Sequence, residues 1–344
     1  MSEKKIEKKG LDKKKVTDFL FNNAMYIIIG IVIVYVAIKR PRFLGLASIV
    51  NIVSLTAAKL PIALGVAGCI VIGGTDISAG RIVGLCGVVS ASLLMNTSKI
   101  WPSLTQALPI PLVLLIAIAI GAAIGLLNGW SVAKFELHPY IVTLSTQLIT
   151  YGLILIYLNS GTNNGMTLSG IVDGYKNLIS GTLIKIGTVS IPMYVLYALI
   201  FLAIMWVIWN KTTFGKNMFA IGSNKTAAEV SGVNVFRTTI LVFVMAGVLY
   251  AFTGFIEAAR VGSATAVTGQ NYEADAISAA VIGGVSFVGG TGKISGVVIG
   301  VLLLNVIFAG LNFLSVNANL LYIIKGLIIL VACALDMRKY LTKK

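Results

Sequence analysis

The residues with the most chemical capacity in this chain interrupt apolar stretches. Gly73-Gly74-Thr75-Asp76-Ile77-Ser78-Ala79-Gly80-Arg81 sets an acid, hydroxyls and a base between two apolar runs. Thr75 or Asp76 can cap the helix that follows, because a side-chain oxygen there accepts from the free amides of the first turn. Asp76 is also expected beside Arg81. An ionised group at bilayer depth costs about 2.5–3.5 kcal/mol on insertion scales, so it faces protein or water. Two roles stay open for Asp76, Ser78 and Arg81: a capped helix start with an interfacial ion pair, or the lining of a solute route. Glu257 and Arg260 sit three apart at the end of one apolar stretch, a spacing that shares a helical face. Glu273 and Asp275 open the next. For these, too, a solvated edge pair and a route lining are both open.

Other chemistry is excluded. Gly289-Gly290-Thr291-Gly292-Lys293-Ile294-Ser295 resembles a phosphate loop, whose pattern is Gly-x4-Gly-Lys-Ser/Thr. Phe287 occupies the first glycine position and Ile294 follows the lysine, so the glycines are expected to turn or break the chain. His138 is the single histidine and builds neither a metal site nor a triad. Cys69, Cys86 and Cys333 lie in apolar runs without metal-ligand spacing and read as small buried hydrophobes. No zinc-protease pattern, nucleophile elbow or paired-cysteine motif is present. The chain is therefore expected to have no catalytic residue, no metal and no bound cofactor.

The elements that must hold these residues are membrane spans. Of the 344 residues, 57% are hydrophobic and 11% charged, against about 25% charged in soluble domains. A spanning helix needs about 20 apolar residues to cross a hydrocarbon layer of roughly 30 Å. Such stretches predict ten spans: Ala24–Ile38, Leu46–Ile72, Ile82–Met95, Leu112–Val132, Ile141–Leu158, Pro192–Trp209, Thr239–Ile256, Ala274–Val288, Ser295–Leu311 and Leu320–Leu335. The fold class is thus an all-α membrane protein. Leu46–Ile72 is longer than the membrane needs and is expected to tilt, kink at Pro61 or break. Two groups of five spans imply inverted halves with broken or kinked helices, a plan common among transporters.

The net charge of +15 is concentrated at the ends and in one central segment. The lysines of residues 1–23 and the basic tail 336–344 flank a membrane domain at 24–335. Positive charge favours the cytoplasmic side, so both termini and 211–237 are expected there, and 159–190 on the opposite side. Lys39, Arg40 and Arg42 run against this bias. The pattern fits contact with anionic lipid and excludes nucleic acid, which requires a basic face on a folded domain. An uncleaved first span is also expected, since no small-residue cleavage site follows Ala24–Ile38.

Glycines mark close helix contacts. Gly121, Gly125 and Gly129 recur every four residues, as do Gly292, Gly296 and Gly300. Small residues on one stripe let backbones approach within lipid. Within 211–237, Ser223 or Asn224 can cap a short helix running to Val230, and Gly232 can end it. Docking into a partner's groove and lying on the lipid surface are both open to it.

Taken together, five segments resemble the permease subunits of bacterial ATP-binding-cassette monosaccharide importers, the ribose, galactose and xylose group. They are Ile62–Gly80, Lys211–Asn224, Ala227–Val235, Glu257–Thr265 and Tyr272–Gly290, and the resemblance runs from about Tyr26 to Leu335. It implies a homodimer in the bacterial inner membrane, working with a cytoplasmic ATPase and an extracytoplasmic sugar-binding protein. ATP and Mg would be used by the ATPase. The segment 159–190 becomes a docking surface for the binding protein. By position, Ala227, Ala228, Glu229 and Gly232 match the family's ATPase-coupling pattern. Thr226 stands where that pattern carries glutamate, which removes one charge from the contact.

The implied function is import of galactose or a methyl galactoside, with no catalytic activity in this chain. A ribose or nucleoside permease of the same fold is the nearest alternative. A proton- or sodium-coupled secondary transporter is the alternative of another class; it requires titratable groups at mid-membrane.

Overall fold

The structure is a computed structural model and describes residues 24–341. The basic segment 1–23, with Lys343 and Lys344, lies outside the described residues.

The chain is predominantly helical. Helix α1 is Ala24–Lys39, followed by a 3-10 turn at Pro41–Leu44; α2 is Leu46–Val71, α3 Ala79–Leu93, α4 Ile110–Phe135 and α5 Pro139–Leu158. After α5 come a short strand β1 (Leu168–Ser169), helix α6 (Asp173–Ser180) and strands β2 (Thr182–Ile186) and β3 (Val189–Pro192). Helix α7 is Tyr194–Lys211, α8 Thr213–Ser223, α9 Lys225–Val230 and α10 Val235–Val261; strand β4 is Ser263–Ala264. Helices α11 (Tyr272–Ile282), α12 (Ile294–Phe313) and α13 (Ala318–Leu341) complete the chain.

The all-α expectation needs a small correction. Strands β2 and β3 form a hairpin, and β1 pairs antiparallel with β4, Leu168 opposite Ala264 and Ser169 opposite Ser263. These pairs join loops whose backbone groups have no helix to satisfy them.

Among the described residues, six helices are long and apolar enough to cross a membrane: α2, α4, α5, α7, α10 and α12. Two expected spans are too short. Helix α3 has 15 residues and α11 has 11, about 22 and 16 Å at 1.5 Å per residue. The stretch expected to span Ala274–Val288 stops as a helix at Ile282, and glycine turns occupy Gly283–Gly292. Helix α2, conversely, does not break at Pro61; the proline lies inside a continuous 26-residue helix.

Helix α2 ends at Val71 because Gly73 adopts φ +80°, a conformation that costs glycine nothing. The Gly73 amide then donates to the Ile70 carbonyl and the Gly74 amide to the Cys69 carbonyl, each at 2.9 Å. This paired closure satisfies carbonyls that the helix end would otherwise leave free.

Helices α2 and α10 form the centre and bury side chains on most faces. Helices α4, α5 and α7 bury a narrow stripe and expose leucine, isoleucine and tryptophan outward, as a lipid-facing helix does. Packing follows a repeated pattern: α3 against α4, α5 and α10, and α11 against α12, α13 and α2. Likewise α4 packs on α10, and α12 on α2. The first helices depart from it, since α1 rests on α12 and α7 on α2.

The α4–α10 contact is built on glycine. A Cβ at Gly121 would lie 2.2 Å from the Gly247 carbonyl oxygen, and one at Gly125 2.3 Å from that of Phe243. One at Gly129 would lie 2.8 Å from Ile240 Cα. On α12, Gly296 and Gly300 meet the Gly283 and Ala279 backbones equally closely. Gly292 is different: it precedes α12 and touches Val285 and Val71 side chains, so it is not part of that helical stripe.

Candidate functional site

The first polar cluster fills the break between α2 and α3. Asp76 Oδ1 accepts from the Ser78 amide at 2.9 Å and from the Ser78 hydroxyl at 2.6 Å. Ser78, rather than Thr75 or Asp76, holds the N-cap position, and its side chain accepts from Asn128 Nδ2 of α4 at 3.1 Å. Asn128 Oδ1 in turn accepts from the Thr146 hydroxyl of α5 at 2.6 Å. Thr143 of α5 donates to the Thr75 carbonyl at 3.2 Å and accepts from the Ile77 amide at 3.3 Å. Buried non-helical backbone needs partners for its amides and carbonyls, and α5 supplies them here.

Asp76 and Ser78 are almost wholly buried, at 1% and 0% exposure. Asp76 Oδ2 and the nearby Tyr250 hydroxyl of α10 are buried without a hydrogen bond of normal geometry. The expected Asp76–Arg81 pair does not form. Arg81 points away, its guanidinium 4.2 Å from the centre of the Tyr151 ring and donating to the Ala266 carbonyl at 3.2 Å. Its planar cation rests on an aromatic face instead.

The second cluster surrounds α11. Arg260 grips Glu257 with two bonds, Nε to Oε2 at 2.8 Å and Nη2 to Oε1 at 2.7 Å. The Tyr272 hydroxyl donates to Glu257 Oε1 at 2.6 Å. Lys59 of α2 lies 5.1 Å from the Tyr272 ring centre and 2.8 Å from Asp275 Oδ2. Lys325 of α13 approaches Asp275 Oδ1 at 2.8 Å. One carboxylate thus ties the short helix α11 to a lysine from each half of the chain. A small cavity of about 10 Å³ lies beside this cluster, against Asn305 and Phe308.

Glu273 is half-exposed and meets the start of α3: a Cβ at Gly80 would lie 2.0 Å from Glu273 Oε2 and 2.5 Å from the Gly269 carbonyl oxygen. The beginnings of the two short helices therefore touch. The polar groups Lys59, Asn128, Thr143, Thr146, Tyr250, Tyr272 and Lys325 escaped the sequence reading. Their signal was present as isolated polar residues inside apolar runs, but it names no partner.

The segment 211–237 is more ordered than a loop. Thr212 caps α8 by accepting from the Gly215 amide at 3.1 Å. Asn224 Oδ1 caps α9 by accepting from the Ala227 amide at 2.9 Å, and Asn234 Oδ1 caps α10 from the Arg237 amide at 2.9 Å. Gly232, at φ +84°, closes α9 as Gly73 closes α2. Thr226, Ala227 and Glu229 are exposed, as is Val230 at 86%, while Ala228 is buried beneath them. Lys225 Nζ reaches Glu136 Oε1 at 3.3 Å. A cavity of about 340 Å³ opens beside α9, between the α2–α3 break and the turn holding Glu136 and His138.

Long apolar helices, two half-length helices and buried ion pairs define the architecture of a multi-pass membrane protein. The chain belongs to the family described as the branched-chain amino acid transport system / permease component, whose pattern covers residues 48–333. It is 45% identical over 337 residues to the galactose/methyl galactoside import permease protein MglC of Escherichia coli strain K12, covering 97% of this chain and 99% of that protein. To the protein of the same name from Haemophilus influenzae it is 43% identical over the same shares. The ribose import permease protein RbsC of Bacillus subtilis is 34% identical over 309 residues, 90% of each chain. No solved structure matches the chain.

Proposed function

We propose that this chain forms the translocation path for galactose or a methyl galactoside in an ATP-driven importer. Two copies would enclose the path, a separate cytoplasmic ATPase would use ATP and Mg, and an extracytoplasmic binding protein would deliver the sugar. The observation that carries the reading is near-complete coverage at 45% identity to a galactose/methyl galactoside import permease, against 34% to a ribose import permease. The exposed face of α9 supports the ATPase contact, with Thr226, Ala227, Glu229 and Gly232 outward and Ala228 seating the helix.

In this reading the chain makes ten passes of the bacterial inner membrane with both termini cytoplasmic, the short helices α3 and α11 crossing together with the non-helical segments beside them. The matching packing of α2–α5 and α10–α13 supports two inverted halves. Arg81 and Glu273, both half-exposed, are assigned to the path itself. The buried Asp76, Ser78, Glu257 and Asp275 hold its walls.

The test is reconstitution of the chain with its ATPase and binding protein in liposomes, followed by labelled galactose uptake. ATP-dependent uptake is expected, with ribose failing to compete. Uptake by the permease alone on a proton or sodium gradient would sink the reading in favour of a secondary transporter.

A further inference from the structure

Three backbones meet beside α9 at glycines, with the Ser223 hydroxyl as the side-chain group at the contact. The Gly290 amide donates to the Val71 carbonyl at 2.8 Å, joining the turn before α12 to the last residue of α2. Gly222, near the end of α8, fits into this contact. A Cβ on it would lie 1.8 Å from the Val71 carbonyl oxygen and 2.4 Å from the Gly290 amide nitrogen. Gly289 and Gly290 are confined less tightly, the first by the Gly222 carbonyl oxygen at 2.9 Å and the Gly73 backbone, the second by Ser223 at 2.5 Å. One residue further along, Asn224 caps α9.

The placement matters more than the tightness. Val71 is the last residue before the break leading to Asp76 and α3. The Gly289–Gly290 turn lies between the short helix α11 and α12. Both interruptions in the membrane fold therefore abut the end of α8 directly. Side chains at a contact can change rotamer and absorb a displacement, whereas close-packed backbone has low compressibility and passes it on. The α4–α10 glycine contact is as close but joins two full-length helices and touches neither α8 nor α9.

We infer that Gly222, Gly289 and Gly290 form a joint through which movement of the α8–α9 segment displaces the end of α2 and the α11–α12 turn together. Gly222 and Gly290 are then positioning residues for transport. They touch no sugar and carry the motion of the partner-facing helix to the two broken segments. This rests on the proposed ATPase contact at α9.

The experiment compares sugar uptake per ATP hydrolysed in the reconstituted complex. Gly222→Ala is expected to assemble and to hydrolyse ATP while uptake per ATP falls about tenfold, the scale of coupling changes of 0.5–2 kcal/mol. Gly121→Ala is the control: it crowds the α4–α10 contact and is expected to lower thermal stability without changing uptake per ATP. Wild-type uptake per ATP in Gly222→Ala would overturn the joint, as would an equal fall in the control. A second arm does not depend on Gly222→Ala folding. In a Cys333→Ser background, Ser223→Cys and Thr291→Cys are bridged with a short bis-maleimide. Parts that move together are expected to keep wild-type uptake per ATP when bridged; loss of transport on bridging overturns the joint. A wild-type complex that hydrolyses ATP but carries no sugar would instead overturn the proposed function on which the joint rests.

Discussion

At the scale of single residues, Asp275, Ser78 and Asn128 find their partners on distant segments. Asp275 binds Lys59 and Lys325 at once, so Asp275→Asn leaves two lysines sharing a neutral acceptor. Breaking a buried pair costs about 3–5 kcal/mol, and the partial exposure of both lysines, 23% and 25%, reduces this to about 1–3 kcal/mol. Thermal unfolding in detergent should show that loss, and Asp275→Asn combined with Lys325→Met should recover part of it. Equal destabilisation in the double variant would deny that the uncompensated charge is the cause. Asn128 is the hinge of the other cluster, bonding Ser78 and Thr146. Asn128→Leu is expected to cost about 1–3 kcal/mol by leaving buried hydroxyls with fewer partners. It should also raise hydrogen exchange in the segment Thr75–Ser78; unchanged exchange there would mean the break is held by other contacts.

At the scale of elements, the half-length helices α3 and α11 begin against one another at Gly80 and Glu273 and are fixed by acid–base and hydroxyl contacts rather than by length. Helix α9 is the opposite case, small, with Ala228 its one buried residue and an exposed Lys225–Glu136 ion pair beside it. Val230→Asp lies on its exposed end and should leave folding intact, with a melting temperature within a degree or two of wild type, as expected of surface changes. Under the proposed function it should weaken ATPase binding in a pull-down by about tenfold, since an apolar contact core excludes charge. Full retention of binding would move the ATPase contact off this face.

At the scale of the whole molecule, the topology makes a sidedness prediction. Thr188 lies in the β2–β3 turn and Ser231 at the end of α9, both exposed. In intact spheroplasts an impermeant maleimide should label Thr188→Cys at once and Ser231→Cys only after lysis, in a Cys333→Ser background. The reverse pattern would invert the proposed orientation, and labelling of both from one side would refute the ten-pass topology.

Much of this was readable in the amino-acid order because it depends on local chemistry. Apolar length selects lipid over water as the solvent, Ser223 or Asn224 and then Gly232 bracket α9, and glycines four apart on α4 prepare a close contact. Each of these needs only neighbours along the chain. The tertiary structure alone decided that α2 runs through Pro61, that Arg81 turns from Asp76 to Tyr151, that Gly292 falls ahead of α12, and that the stretch after Ile282 does not continue as helix. It also decided the pairing of Lys59 with Asp275, 216 positions away. An isolated polar residue in an apolar run announces that it needs a partner, since lipid offers none. Which partner it finds is set by helices packing in three dimensions, and periodicity along one helix carries no record of that choice.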